Sequence, residues 1–197
     1  QVTGVDFNER MVEQARENGI DACAGPVETH GFADGSFDVV TLWGVIEHAQ
    51  SPRDTLAEIS RITADGGLIV IYTQNAATPE ARLLKKDWFI YELPRHLYSF
   101  TPTTIARLLS TGGYCVSETV RETPLFYCQM NWQYFKESRL KRKNDVVHAP
   151  TLVDRAVVKL LALYRRLAAG GRWSSAMTVY AVKRPVLDDG GQSDAKA

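Results

Sequence analysis

The sequence predicts an α/β domain built on a doubly wound, mostly parallel sheet. Short apolar segments of strand length alternate with amphipathic stretches of about ten residues, which marks βαβ units. The amphipathic stretches open on capping residues and close on glycine. With 197 residues, 45% of them hydrophobic, the chain is long enough for one sizeable core.

Val2 to Asp6 is β-prone. Asn8 then caps a helix with Glu9 in its first turn, Met11, Val12 and Ala15 sharing a face, Arg16 in the last turn and Gly19 closing it. Phe37 to Trp43 is a nearly continuous apolar strand, the pattern expected when both faces of a sheet are covered. Ser51-Pro52 opens a helix with Leu56, Ile59 and Ile62 at helical spacing, stopped by Asp65-Gly66-Gly67. Leu68 to Tyr72 is a second buried strand. Thr101-Pro102 opens a third helix, with Ile105, Leu108 and Leu109 inward and Gly112-Gly113 as its stop. Tyr114 to Val120 and Met177 to Val182 complete the strands. Right-handed crossovers place the C-terminal strand ends on one rim, where ligands bind in open α/β sheets, so Asp6, Trp43 and Thr73 are expected near one another.

Residues 1–184 read as one domain with an insert at about 124–173, followed by a polar tail, 185–197, expected to be disordered. The insert opens with Phe126, Tyr127, Trp132, Tyr134 and Phe135, passes through the basic run Lys136–Lys143, and ends in a largely apolar helix from about Thr151 to Ala169. No uncharged apolar run approaches bilayer length, and no fixed-period repeat is present. The 3 cysteines form no CxxC, so neither a disulfide framework nor a structural zinc site is indicated and a reducing cytoplasm fits. Net charge is zero but uneven: residues 1–65 carry 4 Lys/Arg against 12 Asp/Glu, and the remainder 19 against 11. An anionic partner on the C-terminal side and two solvated faces of one domain explain that equally.

Asp6, at a strand end before a helix, is placed to accept hydrogen bonds from both hydroxyls of a ribose; capping the next helix is its alternative use, one that Asn8 already serves. Nicotinamide-dependent dehydrogenases share that feature. What separates the readings is an ordered set of segments: Gly4-Val5-Asp6-Phe7-Asn8-Glu9-Arg10-Met11, Phe32-Ala33-Asp34-Gly35-Ser36-Phe37-Asp38-Val39-Val40, Val45-Ile46-Glu47-His48, Leu56 to Ile62, and Asp65-Gly66-Gly67. The set resembles the class I S-adenosylmethionine-dependent methyltransferases, with Pro94 to Thr101 and Gly112-Gly113-Tyr114 similar to the bacterial type 11, 12 and 23 group. The resemblance covers about residues 1–122 and 174–183, and implies a Rossmann-like sheet with a C-terminal antiparallel strand.

By that resemblance, Asp6 holds the ribose and Phe7 lies beside the adenine of S-adenosylmethionine. Gly25 to Glu28 matches a segment that usually carries an acceptor for the adenine amino group. Pro26 stands at that position, so the contact falls to backbone near Val27 and to Glu28. Leu42 and Trp43 match the segment along the methionine part. A Gly-rich turn ordinarily comes roughly 20 residues before the acidic residue, whereas five residues precede Asp6. The first strand, its glycine loop and the first helix are therefore expected to be missing, the chain being a fragment or the product of a late-placed gene start.

Of the 4 histidines, His48 and His96 are the candidates. His48 serves equally as base, as substrate contact or as a hydrogen bond fixing its loop. His96, with Arg95 beside it, faces the expected substrate entrance. Arg95 suits a carboxylate or phosphate, although pinning the loop to the sheet is the commoner use of such a pair. Trp88, Phe89, Tyr91, Trp132 and Tyr134 form an aromatic wall for a planar or lipid-like acceptor or, more commonly, plain core. From Lys136 to Arg172 there are 10 Lys/Arg against 3 Asp/Glu, which suits either an anionic membrane surface or a helix packed across the sheet with solvated basic residues. No nucleic-acid module is visible, and no His/Asp/Glu cluster has metal-ligand spacing along the chain. The expected function is methyl transfer from S-adenosylmethionine to a small-molecule acceptor, with oxygen as the expected nucleophile. A degenerate, non-catalytic binding module and a nicotinamide-dependent oxidoreductase are the rivals.

Overall fold

The computed structural model describes residues 1–139, 152–168, 171 and 174–185. Strand β1 (Thr3–Asp6) pairs in parallel with β2 (Asp21–Ala24) through helix α1 (Glu9–Glu17). A four-stranded sheet follows, in the order β3 (Phe37–Trp43), β4 (Thr63–Gln74), β6 (Ala176–Lys183), β5 (Tyr114–Glu122). β3 and β4 are parallel, and β6 runs antiparallel between β4 and β5. The C-terminal antiparallel strand is thus where the sequence placed it.

Helix starts follow the caps. Asn8 accepts from the Arg10 N–H, Ser51 opens α2 (Pro52–Ile62) by accepting from Asp54 N–H, and Thr101 and Thr104 form a reciprocal capping box at α4 (Pro102–Thr111). These caps satisfy amides that a helix leaves without intrahelical partners. Leu56 and Ile59 from α2 and Ile105 and Leu109 from α4 meet Ile69 and Ile71 of β4 to form the main core. Tyr114 Oη donates to Thr63 Oγ1 at 2.8 Å beneath it, and burial pushes that phenol's pKa up.

A second, smaller core covers the other end of β4. It is built from α3 (Pro79–Leu84), the 3₁₀ turns Lys85–Asp87 and Phe89–Tyr91, and helix α5 (Leu125–Arg139). Asn131 ties these pieces together: its Oδ1 accepts from Phe89 N–H at 3.0 Å and its Nδ2 donates to Glu80 at 3.2 Å. Helix α6 (Leu152–Ala168) lies against α5, where Asp154 accepts from Trp132 Nε1 and Lys136 Nζ.

Several expectations change. β3 is not covered on both faces; Val39 and Trp43 are 51% and 62% exposed, because β4 is the partner of β3 on one side and no strand pairs with its other edge among the described residues. Met11 points to solvent while Val12 is buried. β2 and α5, which carry no clear periodic signal, are elements the sequence did not reveal. α6 has α5, rather than the sheet, as its principal neighbour, and leaves Leu152, Val153, Leu160, Leu163 and Leu167 exposed. The basic run beyond Arg139, His148 and the tail from Val186 lie outside the described residues. Among the described residues, no helix is long and apolar enough to cross a membrane.

Candidate active site

The C-terminal ends of β1, β3 and β4 carry the polar residues expected of a site. At the end of β1, Asp6 is exposed; its Oδ1 accepts from the Asn8 N–H at 2.7 Å. Two carboxylate oxygens offer about four acceptor positions, so one backbone bond leaves capacity for a diol. Phe7 is 75% exposed beside it. Beyond β2, Val27 packs on the main core, and Glu28 accepts from Thr55 Oγ1 at 2.7 Å, tying the 3₁₀ turn Val27–Thr29 to α2. Leu42 is buried in the core at 4% exposure, so its contribution to a ligand surface is its backbone; Trp43 lies open against Tyr72, ring centroids 5.9 Å apart.

Past β3, Gly44 adopts φ 66°, a left-handed turn that glycine takes without steric cost, and its N–H donates to Tyr72 O. The chain therefore folds back over the rim and sets Glu47 and His48 beside β4. Glu47 is buried, with Thr73 Oγ1 3.0 Å from its Oε2. The same hydroxyl lies 2.6 Å from Gln74 Oε1, and Gln74 Nε2 donates to Tyr98 O at 2.8 Å. Leu97 and Tyr98 N–H both donate to Glu47 O, so the segment 94–98 is clamped onto this turn.

That clamp brings in His96. His48 Nδ1 lies 2.9 Å from Arg95 O, His96 Nδ1 lies 2.6 Å from Ile90 O, and the two rings stand 4.6 Å apart. A carbonyl only accepts, so each Nδ1 carries the proton and each Nε2 keeps its lone pair in the neutral ring. Glu47, His48 and His96 offer ligand atoms within 4.8 Å of one another. Their spacing along the chain gave no sign of this cluster; the fold creates it.

Arg95 is largely exposed and pairs with Glu92 Oε1 at 2.6 Å, which answers its charge locally. Trp88 requires a correction. At 1% exposure it is core, packed edge-on against Tyr91, and cannot face a substrate. The aromatic that does reach the rim from the insert is Tyr127, hydrogen-bonded to Tyr72. Burial pushes both phenols' pKa values up, with Glu47 and Glu122 adding repulsion, so both are neutral donors and not bases. Sequence reasoning passed over Glu47, Tyr72 and Tyr127 as site residues. Glu47 sat inside a quoted motif, but its burial is a tertiary property.

A family model described as a methyltransferase domain matches residues 1–71. A ubiquinone biosynthesis O-methyltransferase from Thiobacillus denitrificans is 27% identical over 158 residues, covering 74% of this chain and 65% of that protein. The chain is thus similar to S-adenosylmethionine-dependent methyltransferases, in sequence over residues 1–71 for the family model and in fold for solved members. A demethylmenaquinone methyltransferase from Staphylococcus haemolyticus is 31% identical over 100 residues, covering 48% of this chain and 42% of that protein. An S-adenosylmethionine-dependent methyltransferase from Thermotoga maritima shares the fold, with a TM-score of 0.60 at 19% identity over 93% of this chain and 73% of that one. The chain spans 52% and 65% of the length of two ubiquinone biosynthesis O-methyltransferases that it matches.

Proposed function

We propose that this chain forms part of an enzyme that transfers a methyl group from S-adenosylmethionine to an oxygen nucleophile on a small-molecule acceptor. The observation that carries the reading is the His48–His96 pair. Both imidazoles are held at Nδ1 by backbone carbonyls, which leaves each Nε2 with its lone pair, and His48 stands exposed beyond the end of β3, which carries Trp43. The residues present fit the cofactor: Asp6 has spare acceptor capacity at an exposed strand end, and Phe7 and Trp43 present open aromatic surface. When bound, that cofactor supplies a sulfonium methyl already activated for transfer.

What remains for the chain is to bind, orient and deprotonate. Asp6 holds the ribose hydroxyls, the backbone of Leu42 and Trp43 lies along the amino-acid portion, and His48 Nε2 takes the acceptor's proton as its oxygen attacks. His96 stands behind His48 as a positioning residue. One hydroxyl of the Tyr72–Tyr127 pair donates to the other, which leaves a single phenolic proton for the acceptor. Arg95, released from Glu92, suits an anionic group on the acceptor. The quinone-pathway relatives support a small aromatic acceptor, and a cytoplasmic setting agrees with cysteines that form no disulfide with one another.

Calorimetry and turnover on the full-length protein test the reading. Asp6→Ala is expected to weaken S-adenosylmethionine binding by roughly 10–100-fold, since charged hydrogen bonds contribute about 1.5–3 kcal/mol. His48→Asn is expected to lower kcat by roughly 10²–10⁴ with cofactor affinity retained, the range for loss of a general base. A second reading, a binding module without turnover, draws on Pro26 and on Glu28 being engaged by Thr55. Cofactor binding indifferent to Asp6→Ala, without formation of S-adenosylhomocysteine, would decide for it.

A further inference from the structure

We infer that Glu47, His48 and His96 form a binding site for a divalent transition-metal ion, a two-histidine, one-carboxylate centre on the acceptor side of the rim. Three independent features converge on it. The first is ligand geometry, with one donor atom from each residue within 4.8 Å of the others. Donors around a zinc-like ion at bond lengths near 2.0–2.1 Å stand about 3.3 Å apart in a tetrahedral array. Closure therefore needs a short inward swing, and exposed His48 has the freedom to make it.

The second feature is the outer shell. Metal-bound histidines characteristically donate their other ring N–H to a carbonyl or carboxylate, which fixes the tautomer and strengthens the ligand nitrogen. Both histidines are already so held, by Arg95 O and Ile90 O at 2.9 and 2.6 Å. Glu92 Oε2 lies 3.4 Å from His96 Nε2, a charge contact when that ring is protonated but longer than the usual N–H···O bond, so it competes only weakly with a metal for that nitrogen.

The third is the state of Glu47. Its side chain is buried at 5% exposure, and buried carboxylates are paired with a cation or coordinate a metal. Among the described residues, the hydrogen bond its side chain receives is from Thr73, whose single hydroxyl proton is contested by Gln74 Oε1 only 2.6 Å away. A cation at Oε1 answers that deficit. Two imidazoles with one carboxylate suit a zinc- or cobalt-like ion far better than magnesium, which prefers an all-oxygen shell. Solvent at His48 leaves positions open, as in catalytic rather than structural sites. An ion there would take over from His48 the task of making the acceptor hydroxyl acidic. That consequence rests on the methyl-transfer reading; metal binding itself does not.

The test is titration of the untagged full chain with Co²⁺, followed by its visible absorption, and with Zn²⁺ by calorimetry, without cofactor or acceptor. One equivalent is expected to bind, with Mg²⁺ failing to compete. His48→Asn and His96→Asn, each checked for an unchanged circular dichroism spectrum and melting temperature, should weaken binding by more than the roughly 10–100-fold that loss of an outer-shell partner alone costs. Absence of binding up to about 1 mM, binding unchanged in both histidine variants, or magnesium displacing cobalt would each overturn the inference. None of these outcomes bears on Asp6 and cofactor affinity, so the two readings fail separately.

Discussion

Glu80 shows how a single carboxyl can set a pH response away from the site. It lies under the smaller core, accepts from Asn131 Nδ2 at 3.2 Å, and burial raises its pKa above the ordinary 4.5, with Trp88 and Tyr164 contacts opposing the rise. A carboxyl whose folded pKa is raised is favoured in its neutral form. Its contribution to stability is therefore complete below about pH 4.5 and is lost as pH climbs through the raised value. Glu80→Gln keeps a neutral acceptor for Asn131 and escapes that loss. The variant is expected to melt higher than the parent at pH 7, with the difference closing as pH falls toward 4.5. A melting temperature lowered at pH 7, or a gap that widens in acid, would show that the ionised carboxylate is the form the core prefers. Glu58 behaves in the opposite sense: the Arg61 guanidinium, hydrogen-bonded to it, holds its pKa low, so its contribution fades only on acidification.

At the level of elements, the β3–β4 junction depends on one glycine. Two β3 residues, Phe37 and Val39, oppose Thr63 and Leu68, so residues 64–67 bulge out of register. A Cβ on Gly67 would lie 2.7 Å from both Ala64 O and Thr63 Cγ2 and 3.0 Å from Asp38 O. Two of these are backbone atoms that cannot turn aside. Gly67→Ala is expected to cost at least the ~1–3 kcal/mol typical of overpacking. At Gly112 the nearest atoms are Leu56 Cγ and Cδ2 at 3.0 and 3.2 Å, the end of a side chain that can adjust, so Gly112→Ala should cost less. Urea denaturation of both variants checks the order, and equal or reversed costs would contradict it. The same contrast explains what the sequence could convey. Asn8, Ser51 and Thr101 announce helices because capping is local chemistry, and Asp65-Gly66-Gly67 announces a break, though not that the break is a bulge within a strand. Asp21–Ala24 is too short for a period, and α5 spreads its apolar residues around the helix, so neither had a local signature. In the site, Glu47 and His48 were legible as a motif, while His96 joins them only through the clamp of Leu97 and Tyr98 onto Glu47, far along the chain.

Taken as a whole, the molecule is two strand systems joined by few ties. β1 and β2 pair with each other, and among the described residues neither is hydrogen-bonded to the four-stranded sheet. Among the described residues, the segment that follows β2 ties them to it, through Val27 on the main core, the Glu28–Thr55 bond to α2 and the Arg61 bond to Phe32 O. β4 and β6, by contrast, have strand partners on both sides and bury Ile69, Ile71, Met177 and Val179 almost completely. Amides open with free energies that follow this kind of local support, from near zero at frayed edges to the global value in a core. Exchange of β1 and β2 amides should therefore proceed by local opening and run at least about tenfold faster than that of β4 and β6, a gap of about 1.4 kcal/mol. Because Asp6 closes β1, a cofactor held there acts on the weaker system first. A ligand that binds only the folded form adds about 2.7 kcal/mol at 100 times its Kd, so β1 protection should rise before that of β4 is altered by local effects. Mass-spectrometric exchange with and without S-adenosylmethionine reads both. Equal protection of β1 and β4 in the free protein would mean the two systems open as one, and protection gained in β4 with none in β1 would place the ligand away from Asp6.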